Sequence, residues 1–150
     1  MFLPGPEAAG SVLSQGHECP IANREWPMTK GREFDLQDRL IDYSVRIISL
    51  SEALPETKAG KHISSQILRS STSPGPNYGE AQSAESVPDF VHKLKVALKE
   101  LREREIWLKV IWRAEMITPA SKLTPLLKET EELIAILFTS VETAKKRTQR

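Results

Sequence analysis

The first regular pattern of apolar and polar positions begins after residue 34. Its apolar side chains recur at alternating steps of four and three residues: Leu36, Leu40, Tyr43, Ile47, Leu50 and Leu54. This spacing places them on one face of an amphipathic helix. Asp35 is a suitable N-cap, and Pro55 is a helix terminator. The pattern therefore predicts a helix over residues 35–54.

The second segment, about residues 58–83, carries fewer apolar positions and contains two prolines, Pro74 and Pro76. Proline lacks the amide hydrogen that a helix interior needs, and its ring crowds the preceding turn. We therefore expect this helix to be kinked or broken near residues 74–76.

A capping box is predicted to open the third segment, where Ser86 is followed three residues later by Asp89 and Pro88 suits the first turn. On a helical wheel, seven apolar residues share one face: Val87, Phe90, Leu94, Leu98, Leu101, Leu108 and Trp112. The pattern predicts a helix over residues 86–117, ended at Pro119.

The fourth segment is predicted over residues 121–147, starting near Ser121 or at Thr124 as a cap before Pro125. Its apolar positions run on to Val141, and a basic end follows, which suits a helix C-terminus. Four amphipathic helices with short connections predict an all-α fold, an up-down-up-down four-helix bundle over residues 33–147.

Residues 1–32 hold four prolines and four glycines without sustained periodicity, which is typical of a disordered tail. Met28 is a second candidate for the start of translation. The lone Cys19 excludes an intramolecular disulfide and favours a reducing compartment. No apolar run approaches the roughly 18 residues of a membrane span. The N-terminus also lacks the basic start and apolar core of a secretory signal. We expect a cytoplasmic protein.

A basic stripe on the third segment is the main candidate for binding. Its members fall within roughly 40° of one direction on a wheel and extend over about 27 Å, interrupted by Ile106. They are Lys95, Lys99, Arg102, Lys109 and Arg113. The C-terminal cluster adds Lys145, Lys146 and Arg147.

Cations along one ridge suit successive phosphates of RNA or DNA, or an acidic protein partner. Because the formal net charge is only +1, any such attraction is local. The alternative is a solvated face whose charge is offset by Glu100 and Glu103.

The residues required for a catalytic centre, a cofactor or a metal are not assembled in the sequence. Asp89 and His92 share a helix face, but the further carboxylates of a bundle metal site are missing. Cys19 lies in the tail, and the Ser/Thr-rich run before Pro74 has no adjacent histidine to activate it. Gly75 and Gly79 lack the lysine and spacing of a phosphate loop.

Two features of the third segment indicate contacts between helices or subunits. Glu105 falls inside the predicted apolar face, so it needs a cation from another helix, a proton or a wet interface. Trp107, Val110 and Ile111 form a second apolar patch, which favours an oligomer interface. Alternatively, Trp107 covers the loop between the first two helices.

Several stretches in this order resemble the four-helix bundle family of 23S rRNA intervening-sequence proteins. They are QILRSSTS at 66–73, NYGEA at 77–81, DFVHKL at 89–94, ALKELRE at 97–103 and EELIAIL at 131–137. The similarity covers about residues 34–147. It implies a left-handed up-down bundle, commonly a bacterial homopentamer with a basic surface. Relatives of this family are accessory proteins of diversity-generating retroelements that bind a reverse transcriptase and nucleic acid.

The resemblance also assigns roles to residues. Asn77 and Glu80 match a recurring Asn and Glu of the family, which we interpret as a buried polar pair that fixes register or a subunit interface. Pro76 departs from the family, since a helix-forming residue is expected there. The predicted function is a non-enzymatic, homo-oligomeric, nucleic-acid-associated or adaptor protein. The alternative is a structural scaffold for a protein partner without nucleic-acid binding.

Overall fold

The computed structural model of this chain describes residues 35–71 and 73–149. The predicted tail, with Cys19 and Met28, lies outside them. Within the described residues every regular element is helical, so the all-α prediction is confirmed. The elements are α1 (Leu36–Ala53), α2 (Lys58–Ser71), α3 (Pro74–Gln82), α4 (Val87–Arg113), a 3₁₀ turn (Ala120–Leu123) and α5 (Thr124–Thr148). No helix in this part of the chain has the length and apolar character needed to cross a bilayer.

Helix α1 follows its sequence pattern closely. All six predicted apolar positions are buried, from Leu36 to Leu54. The Asp35 carboxylate accepts hydrogen bonds from the backbone amides of Gln37 at 2.9 Å and Asp38 at 3.4 Å. These bonds satisfy amide groups that the first turn of a helix leaves without partners.

The second segment is broken rather than kinked, because α2 ends at Ser71 and α3 begins at Pro74. Pro76 then lies in the first turn of α3, where amide groups have no helical partner and proline costs little. The Asn77 side-chain amide donates to the carbonyl of Ser73 at 2.8 Å and to its hydroxyl at 2.7 Å. These bonds secure the start of α3.

Contacts between neighbouring helices fit the predicted up-down-up-down order. The Ser64 hydroxyl donates to the Ser51 carbonyl at 3.1 Å, near the α1–α2 connection. Lys93 pairs with Glu80 at 3.4 Å, near the α3–α4 connection. Each contact joins the end of one helix to the start of the next, as in an antiparallel hairpin. The left-handed twist of the bundle stays a prediction.

Helix α4 ends at Arg113 and not at residue 117 as predicted. Glu115 adopts the left-handed conformation with φ 50°. Its amide donates to the Trp112 carbonyl at 3.2 Å, and the Met116 amide donates to the Ile111 carbonyl at 3.1 Å. This pair of bonds is a Schellman motif, which closes the helix before Pro119 is reached.

The core-facing stripe of α4 also differs from the predicted one. It takes steps of three and four through Leu94, Ala97, Leu101, Arg104, Leu108 and Ile111. The predicted stripe used Leu98, which is also buried, and then Glu105 and Trp112. Ile111 is therefore in the core instead of on a surface patch, and Trp112 is 47% exposed instead of buried.

Glu105 consequently lies beside the core rather than in it, with a side chain that is 22% exposed. Its carboxylate pairs with Lys109, one turn further along α4. The counter-charge thus comes from the same helix, and the expectation of a cation from another helix is wrong.

Helix α5 begins without the predicted threonine cap. The 3₁₀ turn runs directly into α5, so Thr124 is already helical, and Pro125 lies in the first turn. Helix α5 continues to Thr148 and carries Lys145, Lys146 and Arg147 in its last turn.

A buried arginine lies in the bundle interior. Arg104 is 0% exposed, and its Nε, Nη1 and Nη2 atoms have no hydrogen-bond partner among the residues that the structure describes. The guanidinium carbon lies 5.0 Å from the centre of the Tyr43 ring. Burial lowers the pKa of Arg104, while the neighbouring Tyr43 opposes that shift.

A short chain of hydrogen bonds supports the Tyr43 ring. The Thr130 hydroxyl donates to the Leu126 carbonyl at 2.7 Å, so the Tyr43 hydroxyl donates to Thr130 Oγ1 at 2.6 Å. These bonds satisfy two buried hydroxyl groups from α1 and α5. Arg104 from α4 is the member of this polar layer that has no hydrogen-bond partner.

Replacing Arg104 with methionine is expected to raise the free energy of unfolding by about 1–3 kcal/mol, because it removes a buried charge while keeping most of the volume. Urea denaturation followed by circular dichroism measures this change. The control is Arg102→Met, an exposed position on the same helix, which should stay within about 0.5 kcal/mol. A marked loss of stability in the Arg104 variant would contradict the view that this charge is uncompensated.

Gly60 is required where the α1–α2 connection crosses the start of α2. A Cβ at this position would lie 1.9 Å from the Pro55 carbonyl oxygen. The Gly60 amide also donates to the Thr57 hydroxyl at 3.0 Å, which fixes its position. The backbone therefore has no room for a side chain here.

We expect Gly60→Ala to lower the free energy of unfolding by about 2 kcal/mol or more, since backbone has to shift. Gly79→Ala is the matched control, because its Cβ would meet only the movable side chain of Gln37, at 3.3 Å. That change should be neutral or stabilise by up to about 1 kcal/mol. Equal melting curves for the two variants would refute the steric explanation.

Candidate functional site

The basic stripe of α4 lies on the surface of the bundle. Its five cations are exposed: Lys95, Lys99, Arg102, Lys109 and Arg113. Ile106, which interrupts them, is 62% exposed. The stripe faces outward because the core of the bundle takes the opposite side of α4.

The packing of α4 against α5 creates a shallow groove beside the N-terminal half of this stripe, which we name the α4–α5 groove. Eight residues line it: Lys95, Leu98, Lys99, Arg102, Phe138, Val141, Glu142 and Lys145. The two helices are antiparallel, so the first half of α4 lies against the last turns of α5. The fold thereby unites the basic stripe with one cation of the C-terminal cluster.

The cations of the groove outnumber its carboxylates. Among the described residues, the side chains of Lys95, Lys99 and Arg102 make no ion pair and no hydrogen bond. Lys145 pairs with Glu142 at 2.7 Å. The groove therefore holds four cations and a single acidic side chain, which gives it a net positive charge.

Glu142 responds to this charge. Its hydrogen bond with Lys145, together with the positive charges of Lys145, Lys146 and Lys95, lowers the pKa of the Glu142 carboxyl, although desolvation opposes the shift. Glu142 therefore stays ionised to a lower pH than an ordinary carboxyl group. Its ion pair is with Lys145, and Lys95 of α4 interacts with it only through longer-range attraction.

Phe138 is the one aromatic side chain of the groove. It is 48% exposed, whereas the neighbouring Leu137 and Val141 are buried. Phe138 is not among the site residues predicted from the sequence. The available signal was its position directly after the core residue Leu137, which turns it away from the core face.

The remaining predicted cations lie apart from the groove or are already paired. Lys109 is paired with Glu105. Arg113 is the last residue of α4, about 27 Å along the helix from Lys95. Lys146 and Arg147 are exposed in the last turn of α5, next to the groove but not lining it.

The predicted polar pair Asn77 and Glu80 is not buried. Asn77 is half-buried and bonds within its own helix start, to Ser73. The Glu80 side chain is 63% exposed and pairs with Lys93 of α4. The interpretation of a buried pair is therefore wrong, and both residues make local or surface contacts in the chain.

The three residues of the predicted interface patch, Trp107, Val110 and Ile111, do not form one exposed surface. Ile111 is a core residue, and Val110 is 37% exposed. Trp107 is partly buried against the core, and its ring lies 6.3 Å from His62 in an edge-on arrangement. Trp107 therefore covers the first turns of α2, beside the α1–α2 connection, which is close to the alternative interpretation.

Over residues 35–71 and 73–149, no three His, Cys, Asp or Glu side chains are grouped so that they would hold a metal ion. Asp89 instead pairs weakly with Lys93, at 3.9 Å.

Comparison with known proteins identifies two similarities. The family model described as 23S rRNA-intervening sequence protein matches residues 32–139, a range that includes the α4 side of the groove and Phe138 but ends before Glu142 and Lys145. A crystal structure from Bacteroides thetaiotaomicron, of a protein with unknown function from the S23 ribosomal protein family, shares 36% sequence identity. It superposes with a TM-score of 0.66, covering 71% of this chain and 98% of that chain. No curated protein matches this sequence.

Proposed function

Because this chain belongs to the 23S rRNA-intervening sequence protein family, we propose that it is a non-enzymatic, oligomeric protein that binds nucleic acid in the α4–α5 groove. The observation that carries the proposal is that, in the part of the chain that the structure describes, three cations of α4 form no ion pair, with Lys145 facing them from α5. Phosphates of a nucleic-acid backbone would supply the missing negative charge.

The spacing of these cations suits a polyanion. Lys95, Lys99 and Arg102 follow one another at four and three residues, so they cover about 10 Å along α4. A nucleic-acid strand advances about 3.4 Å per phosphate along its helix axis, so this distance corresponds to about three nucleotides. Such contacts are independent of base sequence and sensitive to salt.

The low net charge of the chain directs a polyanion to this groove. With a formal net charge of +1, the protein has no general attraction for nucleic acid. The opposite side of the bundle presents two exposed acidic residues on α1, Asp42 and Glu52, together with one exposed cation, Arg46. Repulsion there and attraction at the groove would orient an approaching strand.

Reversing the charge of Lys95, Lys99 and Arg102 together to glutamate is expected to weaken binding of an oligothymidine of about 16 nucleotides by about tenfold or more at low salt. Fluorescence anisotropy over a salt series measures affinity and salt slope together. The slope of log affinity against log salt should fall by about 2, since three phosphate contacts are lost.

The control is Lys128→Glu, which repeats one of these three charge reversals at an exposed position on α5, about 15 Å along that helix from Phe138. Its effect should be small. An unchanged affinity and salt slope in the triple variant would refute the groove as the binding site.

A second observation favours self-association of this chain. Self-association is also expected if the protein is a structural scaffold that does not bind nucleic acid. Helices α1 and α4 lie diagonally across the bundle, since each packs on α2, α3 and α5. The outer face of α1 exposes Ile41, Val45 and Ile48 beside acidic residues. The outer face of α4 exposes Ile106 and Val110 beside basic ones.

Two complementary faces on opposite sides of one molecule favour a head-to-tail contact between copies. We therefore propose that α1 of one copy packs against the C-terminal half of α4 in the next, which leaves the groove open. If neighbouring copies are also rotated relative to one another, repetition of this contact closes a ring, for which the resemblance implies five subunits.

Val45→Asp and Ile106→Asp are each expected to dissociate the oligomer, because each buries a charge in the apolar contact. Light scattering coupled to size exclusion measures the mass. Val87→Asp, at another exposed apolar position, is the control and should stay oligomeric.

Mixing the Val45 and Ile106 variants is a sharper test, since each keeps one intact face. A head-to-tail contact predicts a one-to-one dimer in the mixture. A monomeric wild-type protein, or a mixture that stays monomeric, would contradict this interface.

A further inference from the structure

We infer that the α4–α5 groove selects single-stranded over double-stranded nucleic acid by stacking an unpaired base on Phe138. The inference rests on the proposed function, in which the surrounding cations hold phosphates. It adds a preferred ligand and a residue that determines the preference.

Packing among residues 35–71 and 73–149 leaves Phe138 exposed. Its neighbours Leu137 and Val141 fill the core at 0% and 2% exposure, while almost half of the Phe138 side chain meets solvent. In the groove it is flanked by Leu98, which is buried at 6% exposure. The ring therefore forms the accessible apolar floor of a groove with charged walls.

The cations of the groove come from both of the helices that form it. Lys95, Lys99 and Arg102 come from α4, and Lys145 lies two turns beyond Phe138 on α5. A strand passing through the groove would place phosphates against both walls. The base between those phosphates would then lie over the ring.

Single strands and duplexes differ in what they offer to such a site. An unpaired base has a free aromatic face, and stacking on a protein aromatic ring tolerates any base. In a duplex the base faces are already stacked on each other, so only phosphates and base edges remain accessible. Phe138 would therefore add affinity for a single strand and nothing for a duplex.

The experiment compares oligothymidine of about 16 nucleotides with a duplex of the same length, using the full chain and fluorescence anisotropy at one low salt concentration. The wild-type protein should prefer the single strand by about 5-fold or more. Phe138→Ala should remove that preference by weakening single-strand binding about 5- to 100-fold, with duplex binding changed by less than about 2-fold. Phe138→Trp should restore the preference, since the indole ring also stacks.

Val87→Ala is the control, because it removes an exposed apolar side chain near the start of α4, outside both the groove and the proposed subunit contact. It should leave both affinities unchanged. Circular dichroism melting curves of all variants establish that the bundle remains folded.

The outcomes separate the two proposals. Equal affinity for single strand and duplex, unaltered by Phe138→Ala but lowered by the triple charge reversal, would overturn the stacking inference and leave phosphate binding intact. Failure to bind either nucleic acid at low salt would overturn both. Equally tight binding of poly-glutamate would identify a general polyanion site and overturn the single-strand preference.

Discussion

The packing of α4 against α5 is the interaction on which the rest of the molecule depends. The seam between them consists of large buried aliphatic side chains: Leu94, Leu98, Leu101 and Leu108 from α4, and Leu133, Leu137 and Val141 from α5. This seam sets the register of two helices whose facing residues are distant in the sequence. A slip by one turn, about 5.4 Å, would move Phe138 and Lys145 away from the three cations of α4. The surface chemistry is thus a consequence of core packing.

Charge is distributed in two different ways on α4. Arg104 is enclosed without a counter-ion and is accommodated by the face of the Tyr43 ring, which makes it a cost to stability. Two positions earlier, Arg102 is exposed in the groove and is also without a counter-ion. There water screens the charge at little cost, so it stays available for an anionic ligand. One helix therefore carries both a buried charge that costs stability and the proposed binding surface.

The sequence predicted those parts of the fold in which one pattern was unambiguous. In α1 a single apolar stripe is present, so its buried face and its Asp35 cap could be assigned directly. In α4 two stripes compete, one through Ala97 and Ile111 and the other through Leu98 and Trp112. The prediction chose the stripe through Leu98 and Trp112, because its side chains are larger. In the structure the helix closes at Glu115, which leaves Trp112 beyond the core.

Two important residues, Arg104 and Phe138, could not be predicted from the sequence, each for a different reason. Arg104 lies on the true stripe, three residues after Leu101 and four before Leu108, but a charged residue is not expected at a core position. Phe138 required knowledge of how α4 and α5 align, which is a tertiary property. The cations themselves were predicted, because their shared face follows from helix periodicity alone. The sequence could not show which of these cations are paired, because Glu105 pairs with Lys109 and Glu142 pairs with Lys145 only in the folded structure.

Photochemical cross-linking tests the central claim, that a single strand lies across Phe138 in the α4–α5 groove, most directly. The full chain would be irradiated with an oligonucleotide containing halogenated uracil, which reacts with stacked aromatic rings, and the adducts located by peptide mass spectrometry. We expect the main adduct on the peptide that contains Phe138 and its loss in Phe138→Ala. Adducts confined to other surfaces, such as Trp112 at the end of α4, would contradict the account.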